Sequence, residues 1–325
     1  MTKKKPTILD VAQLANVSRT TVSRYLNQNY SKMSLATKLT IEQAIKQLNY
    51  QVNQSARALK TNRTHLIGLV MADVTNFYAS LVFKGVADLF SSFNYQIIML
   101  NSNEDALQEQ KNISQLLQFQ VDGLLIQPVT KNTPYYESIT IPTVFIDRPL
   151  ASSHLAQVVT DNYLKSQELA QKVVTFGYHQ FIILHQKNSN SARDLRIQAI
   201  NDVALQNNIK TTIFYTDDDL QHLLKLLIQS PKTAIFVLKG PDVLKTLAFF
   251  HAHNFNIPNN IGMATFDDWN WTNFTFPKIE KIQQDPTKIG FIAAKLLHQN
   301  ITSPRLNSNS HIIVPSVLIT GNSLK

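Results

Sequence analysis

Short apolar runs alternate with amphipathic stretches over most of the chain. Runs at 66–71, 96–100, 123–127 and 143–146 are bounded by turn residues and read as buried strands. Helical periodicity falls between them, at about 78–93 and 105–119. A second series follows, with strands at 181–185, 211–215, 234–238 and 262–266. Its helices are predicted near 163–176, 192–207, 220–228 and 243–253. Strands alternating with helices predict βαβ units, here two doubly wound parallel-sheet α/β halves in tandem. Residues 286–298 predict a late helix returning to the first half, and 312–319 a closing strand. Residues 302–309 are polar and loop-like.

The first 60 residues have a different rhythm. Thr7 with Asp10 forms a capping-box pair, so a helix can begin at Ile8, with Val11, Leu14 and Ala15 on one face. Asn16 stands where that helix must stop, and Asn tolerates the left-handed conformation used there. Ser18 caps a second helix whose buried side carries Val22 and Leu26. Ser34 caps a third, with Leu35, Leu39, Ile41, Ile45 and Leu48 closing a small core. The outer side of the second helix carries Arg19, Thr20, Ser23, Arg24 and Asn27, residue types that reach phosphates and base edges. This is an all-α helix-turn-helix pattern whose second helix would enter a major groove.

An ordinary helical hairpin with a solvated charged face would show the same periodicity, but the charge distribution opposes it. Residues 1–65 hold eleven basic side chains against Asp10 and Glu42 alone. That excess of nine equals the +9 of the whole chain, so the remaining 260 residues are neutral. A small domain holding all the excess positive charge is an electrostatic footprint for nucleic acid. There is no cysteine, hence no disulfide frame and no thiolate metal site. The basic start lacks a following apolar run and no stretch is long enough to span a bilayer, so a cytoplasmic protein with no membrane association is expected.

Thr7-Ile8-x-Asp10-Val11-Ala12, then Val17-Ser18-x-x-Thr21-Val22-Ser23-Arg24-x-Leu26-Asn27, resembles the amino-terminal pattern of LacI/GalR-family transcriptional regulators. The likeness continues through Leu48-Asn49-Tyr50 to Asn53-x-x-Ala56-Arg57-x-Leu59 and, more loosely, over the whole chain. Departures are Asn16 for the usual Gly, one extra residue around 29–32, and Val52 for the usual Pro. The resemblance implies a DNA-binding domain at 1–52, a hinge helix and linker at 53–65, and an effector and dimerisation domain at 66–325. The effector domain resembles periplasmic binding proteins. Its first half is expected at about 66–161 plus 286–311, and its second at about 162–285 plus 312–325. The implied DNA contacts are Thr7, Ser18, Arg19, Thr20, Thr21, Ser23, Arg24, Asn27, Asn53, Ala56, Arg57 and Leu59. Leu59 would wedge into the minor groove, or alternatively dock on the protein body.

Ligands of such sheets bind beyond the carboxyl ends of the strands, in the cleft between halves. There Asp73-Val74-Thr75-Asn76-Phe77-Tyr78 resembles the family's Asp-x-x-Asn-Pro-Phe, with Tyr78 as the stacking aromatic. Arg148 of Ile146-Asp147-Arg148-Pro149 points to ligand or holds the interdomain crossover, and Asp161-Asn162-Tyr163 matches that crossover. Arg196, three residues before Ala199 at a usual Gly position, aligns with the family's effector-binding Arg, with Arg193 one turn away as the weaker candidate. Asp267 would accept from sugar hydroxyls, Trp269 or Trp271 would stack or simply pack, and Gln283 aligns with a polar effector position. Lys239 replaces the family's usual Asn and makes the cleft more cationic. An anionic effector, a sugar acid or sugar phosphate, is therefore expected. A neutral sugar suffices if Asp267 neutralises one cation. The segment 267–272 also looks like regulators of keto-deoxygluconate use.

An enzyme is not indicated: there is no Gly-x-Ser-x-Gly elbow, no phosphate-binding Gly-rich loop and no His-Glu-x-x-His. His251-x-His253 faces two sides of a helix, and Asp217-Asp218-Asp219 reads as a capping run. No cofactor or metal is expected. A transport receptor would have no use for the cationic head. The expectation is a homodimeric regulator, a repressor, that binds palindromic operator DNA under control of a small sugar-type effector.

Overall fold

The computed structural model describes residues 6–31, 33–51, 63–152, 154–188, 190–216, 221–229, 232–266, 271–303 and 310–325. The chain divides after Thr64 into two compact units. The expected hinge helix lies outside the described residues.

In the first unit, α1 (Ile8–Leu14) starts at a full capping box, in which the Thr7 amide donates to Asp10 at 2.7 Å and the Asp10 amide to Thr7 Oγ1 at 3.4 Å. Asn16, at φ 49°, turns the chain. Ser18 Oγ accepts from the Thr21 amide at 3.1 Å to start α2 (Arg19–Leu26), and Ser34 does the same for Thr37 at the start of α3 (Leu35–Leu48). Val11, Ala12, Ala15, Val22, Ile41 and Ala44 form the core. Leu14, Leu35 and Leu39 were expected there and are exposed. The buried arc of α1 is centred on Val11, Ala12 and Ala15, which rotates Leu14 outward. On α3 the arc runs through Ile41, Ala44, Ile45 and Leu48, too far along the helix to cover its first turn.

The second unit contains two six-stranded sheets. The first has order β11-β5-β4-β3-β1-β2, built from β1 (Leu66–Met71), β2 (Gln96–Asn101), β3 (Gly123–Ile126), β4 (Thr143–Asp147), β5 (Ala156–Thr160) and β11 (His311–Val314). All its pairings are parallel. Helices α4 (Phe77–Phe90), α5 (Ala106–Gln118) and the short α6 (Thr133–Glu137) connect its strands. The second has order β12-β10-β9-β8-β6-β7, from β6 (Gln180–His185), β7 (Lys210–Tyr215), β8 (Thr233–Val237), β9 (Ile261–Phe266), β10 (Glu280–Gln283) and β12 (Val317–Ile319). Its helices are α7 (Asn162–Thr175), α8 (Ser191–Gln206), α9 (Gln221–Gln229) and α10 (Gly240–Ala252), and only β12 runs antiparallel. Side chains alternate across each sheet. In the first sheet Ile67, Leu69 and Met71 enter one core cluster and Val70, Leu124 and Ile126 another, so both faces are covered by helices.

Helix α11 (Pro286–Thr302) returns to the first half and packs on α4, burying Ile289, Ala293 and Leu297. Gly85 and Gly290 permit that approach: a Cβ on Gly85 would lie 1.9 Å from the Thr287 carbonyl oxygen, and one on Gly290 2.2 Å from that of Val82.

The short α6 was not predicted, and three strand features differ from the sequence reading. The closing strand 312–319 is two strands on two sheets, β11 and β12, so the last crossing falls at 315–316 rather than at 311–312. Pro315 cannot donate to a ladder, and Ser316 is tied by its amide (2.9 Å) and hydroxyl (2.6 Å) to Asp161 Oδ1 at the first crossing. Strands β5 and β10 were not predicted. β10 reads Glu280-Lys281-Ile282-Gln283 and has no apolar run. Its Glu280 is buried because Lys172 donates to one oxygen at 2.6 Å and the Gly321 amide to the other at 3.0 Å. Among the described residues no helix is long and apolar enough to cross a membrane.

Candidate functional site

The helix-turn-helix exposes a polar face. Arg19, Thr20, Arg24 and Asn27 of α2 and its cap are exposed, and Ser23 is half-buried. Ser18 and Thr21 share a hydroxyl contact of 2.9 Å, and Thr7 is bonded to Asp10, so these hydroxyls fix the helix starts. What they leave outward is a helix amino terminus, whose free amides suit phosphate. Asn27 donates back to the Ser23 carbonyl at 2.8 Å. The other nucleic-acid contacts expected from the sequence, Asn53, Ala56, Arg57 and Leu59, lie outside the described residues.

The larger unit has a cleft between its halves, with an empty volume of ≈ 490 Å³ that includes solvent at its mouth. Its lining follows from topology. In each sheet the connection reverses beside the first strand of the half, β1 in one and β6 in the other. Chain segments leaving neighbouring strands at such a switch point part and open a crevice. Asp73, Asn76 and Tyr78 follow β1, Glu104 follows β2, Gln127 follows β3, and Asp147 and Arg148 end β4. From the second half come Asn190, Ala192, Arg193 and Arg196 after β6, and Leu238 and Lys239 after β8.

Of the effector residues expected from sequence, Asp73, Tyr78, Arg148, Arg196 and Lys239 all line the cleft. Gln283 does not: it sits within β10 opposite Val317 of β12. Asp267 and Trp269 lie outside the described residues, and Trp271 packs against the core beneath β8 and β9. Asn76, Glu104, Gln127, Asp147, Asn190 and Leu238 were not selected from sequence. Each follows a strand closely, which is the signal that could have found them. Glu104 and Asp147 also sit at φ 57° and 68°, left-handed backbone that non-glycine residues hold only where the surroundings enforce it.

The charges in the cleft are mostly paired. Both Arg148 terminal nitrogens donate to Glu104, at 2.8 and 2.5 Å, and one also to the Pro128 carbonyl at 3.1 Å. Arg148 therefore lines the site without holding the crossover, which Asp161 and Ser316 secure instead. Burial alone would raise the Glu104 pKa, but the fork and charge of Arg148 hold it below the usual carboxylate value. Arg148 itself is pushed up, its burial outweighed by Glu104. Lys239 Nζ lies 3.4 Å from Asp73 Oδ2 and 3.3 Å from Gln186 Oε1. Despite burial, two hydrogen bonds from Thr75 and the Lys239 charge lower the Asp73 pKa. Lys131 and Asp194 make a second ion pair between the halves.

Arg196 stacks on the Phe266 ring, its guanidinium carbon 3.5 Å from the centroid. Its Nε donates to Asn162 Oδ1 at 2.8 Å and its Nη1 to the Leu238 carbonyl at 2.9 Å, which fixes the side chain. Behind the first half's contribution, Gln127 donates to Asp147 at 2.6 Å and accepts from the Ala72 amide at 3.2 Å. Glu109, fully buried on α5, accepts from Tyr136 Oη at 2.6 Å and from the Val129 amide at 2.8 Å, and so holds the segment after β3. Burial raises its pKa above the ordinary value.

Comparison with known proteins adds ancestry to this geometry. Residues 7–53 match the family described as bacterial regulatory proteins, lacI family, and residues 170–324 a periplasmic binding protein-like domain. The ribose operon repressor of Halalkalibacterium halodurans is 28% identical over 328 residues, covering 98% of this chain and 97% of that one. The crystal structure of the Lac repressor dimer bound to operator and the anti-inducer ONPF shares the fold, with a TM-score of 0.85 over 98% of this chain and 99% of that one at 20% identity. The HTH-type transcriptional regulator KdgR of Bacillus subtilis (strain 168) is 31% identical over 308 residues, 91% of each chain. With that identity over 91% of both chains, and with the family's amino-terminal domain matched at residues 7–53, the chain belongs to the LacI family of bacterial transcriptional regulators.

Proposed function

We propose that this regulator is a homodimer reading a twofold-symmetric operator through Arg19, Thr20 and Arg24, and that its effector is an anionic sugar derivative, a sugar acid or sugar phosphate. The observation that carries the effector class is the charge balance of the cleft. Among the described lining residues four are basic (Arg148, Arg193, Arg196, Lys239) and three acidic (Asp73, Glu104, Asp147). A buried excess of cations is costly without an anion to meet it. Lys239 is not a free cation of this set, because it is paired with Asp73 at 3.4 Å. The same pair favours a second reading, in which Lys239 is neutralised internally and a neutral sugar fills the cleft. Effector and DNA each select one arrangement of the halves, so each changes the other's affinity by the same factor.

Selection from random duplexes should return a palindrome, because paired recognition helices on a two-fold dimer require one. Arg24→Ala should then cost ~1–3 kcal/mol on that site and relax one base position. Equal weakening on selected and random DNA would reduce Arg24 to a phosphate contact. Calorimetry with matched glucose, gluconate and glucose 6-phosphate tests the effector class. Tighter binding of the neutral member would overturn the anionic reading.

A further inference from the structure

We propose that the acidic group of the effector docks on Arg193 at the first turn of α8, rather than on Lys239; this rests on the anionic-effector reading above. Arg193 is the third residue of a helix of 16 residues, and its amide donates to the capping Asn190 at 3.0 Å. The amino end of a helix carries partial positive charge, so a cation there is misplaced electrostatically while an anion is favoured. Arg193 is also only 5% exposed and lines the cleft. Among the described residues it forms no ion pair, and its one hydrogen-bond acceptor is the Asn188 carbonyl at 2.5 Å.

Three of the carboxylates around it are engaged elsewhere, and the fourth, the buried Asp242 of α10, acts on it through its charge without forming an ion pair with it. Glu104 meets the fork of Arg148, Asp73 meets Lys239 and Thr75, and the adjacent Asp194 meets Lys131. Burial, together with the charges of Arg148 and Arg196, holds the Arg193 pKa below that of an ordinary arginine, and Glu104 and Asp242 offset this only in part. Such an arrangement opposes folding in the empty cleft and becomes favourable once an anion enters. The guanidinium fork fits a carboxylate or a phosphate equally well, in two parallel hydrogen bonds. Lys239, already neutralised by Asp73, gains less from the same anion.

The test is thermal unfolding of the full chain in inorganic phosphate against chloride at matched ionic strength, followed by calorimetry with gluconate, glucose 6-phosphate and glucose. Phosphate should raise the Tm of wild type, of Lys239→Asn and of Arg24→Ala, the last showing that the shift does not arise at the DNA-binding face. Arg193→Gln should lose the shift and bind phosphate about 10- to 100-fold more weakly, the loss expected for a charge-assisted contact. Its Tm in chloride should equal or exceed that of wild type. Arg193→Lys, which keeps the charge without the fork, should retain part of the shift. An unchanged shift in Arg193→Gln, a shift lost in Lys239→Asn, or no shift in wild type overturns the proposal. If phosphate acts through Arg193 while glucose outbinds both of its charged analogues, the anion subsite stands and the effector reading fails. Preference for gluconate or for glucose 6-phosphate separates the two sources of the anion.

Discussion

Replacing Glu104 by Gln tests how the cleft tolerates its own charge. Arg148 has a side chain 5% exposed, and Glu104, itself 25% exposed, supplies both oxygens of its fork. Removing one partner of a buried pair leaves an uncompensated charge and typically costs 3–5 kcal/mol. Glu104 is partly solvated, Pro128 still accepts from Arg148, and Gln keeps one oxygen acceptor. These reduce the expected loss to ~2–3 kcal/mol at pH 7. The loss carries a pH dependence of defined sign. The Glu104 pKa is depressed on folding, so its contribution is complete above the unfolded carboxyl value of ~4.3 and disappears as pH falls through the folded value. Urea unfolding of the larger unit, followed by far-UV circular dichroism at pH 7 and in steps below pH 4.5, should show a gap between wild type and variant that closes with acid. A loss under ~0.5 kcal/mol at pH 7, or a gap that does not narrow on acidification, would refute a charge-compensating role for Glu104. Freed of Glu104, Arg148 should also shift the cleft further toward acidic ligands in calorimetry.

Gly290→Ala should lower stability by ~1–3 kcal/mol, because its Cβ would press on helix backbone with no flexible side chain to yield; a calorimetric transition unchanged in Tm would show that α4 and α11 can separate without loss. Thr7→Ala removes one arm of the capping box and should cost ~1 kcal/mol in the small unit, seen as faster amide exchange along α1 with exchange in the larger unit unaltered. Exchange along α1 that matches wild type would show the Asp10 carboxylate to be a sufficient cap.

The small unit was largely legible because its determinants are local. Thr7 with Asp10, Ser18 with Thr21 and Ser34 with Thr37 all act over three residues, and the excess charge needs no fold to be counted. The alternation of strands and helices was equally readable, since parallel strands covered on both faces are near-continuous apolar runs. Reading stopped where burial depends on a distant partner. Glu280 is fully buried in a strand only because Lys172 of α7 and the Gly321 amide reach it, and both are distant from it in sequence. Leu14, Leu35 and Leu39 fit a helical stripe, yet three short helices enclose too little space to cover them. The cleft divides the same way. Asp73, Tyr78, Arg148, Arg196 and Lys239 could be placed through the family resemblance of the segments that follow the strands, but their state could not. That Arg148 is bound to Glu104, that Lys239 meets Asp73 across the cleft, and that Arg193 forms no ion pair among the described residues were decided by packing. An ion pair forms or fails over a few ångströms, and only the tertiary fold sets that distance between residues a hundred positions apart.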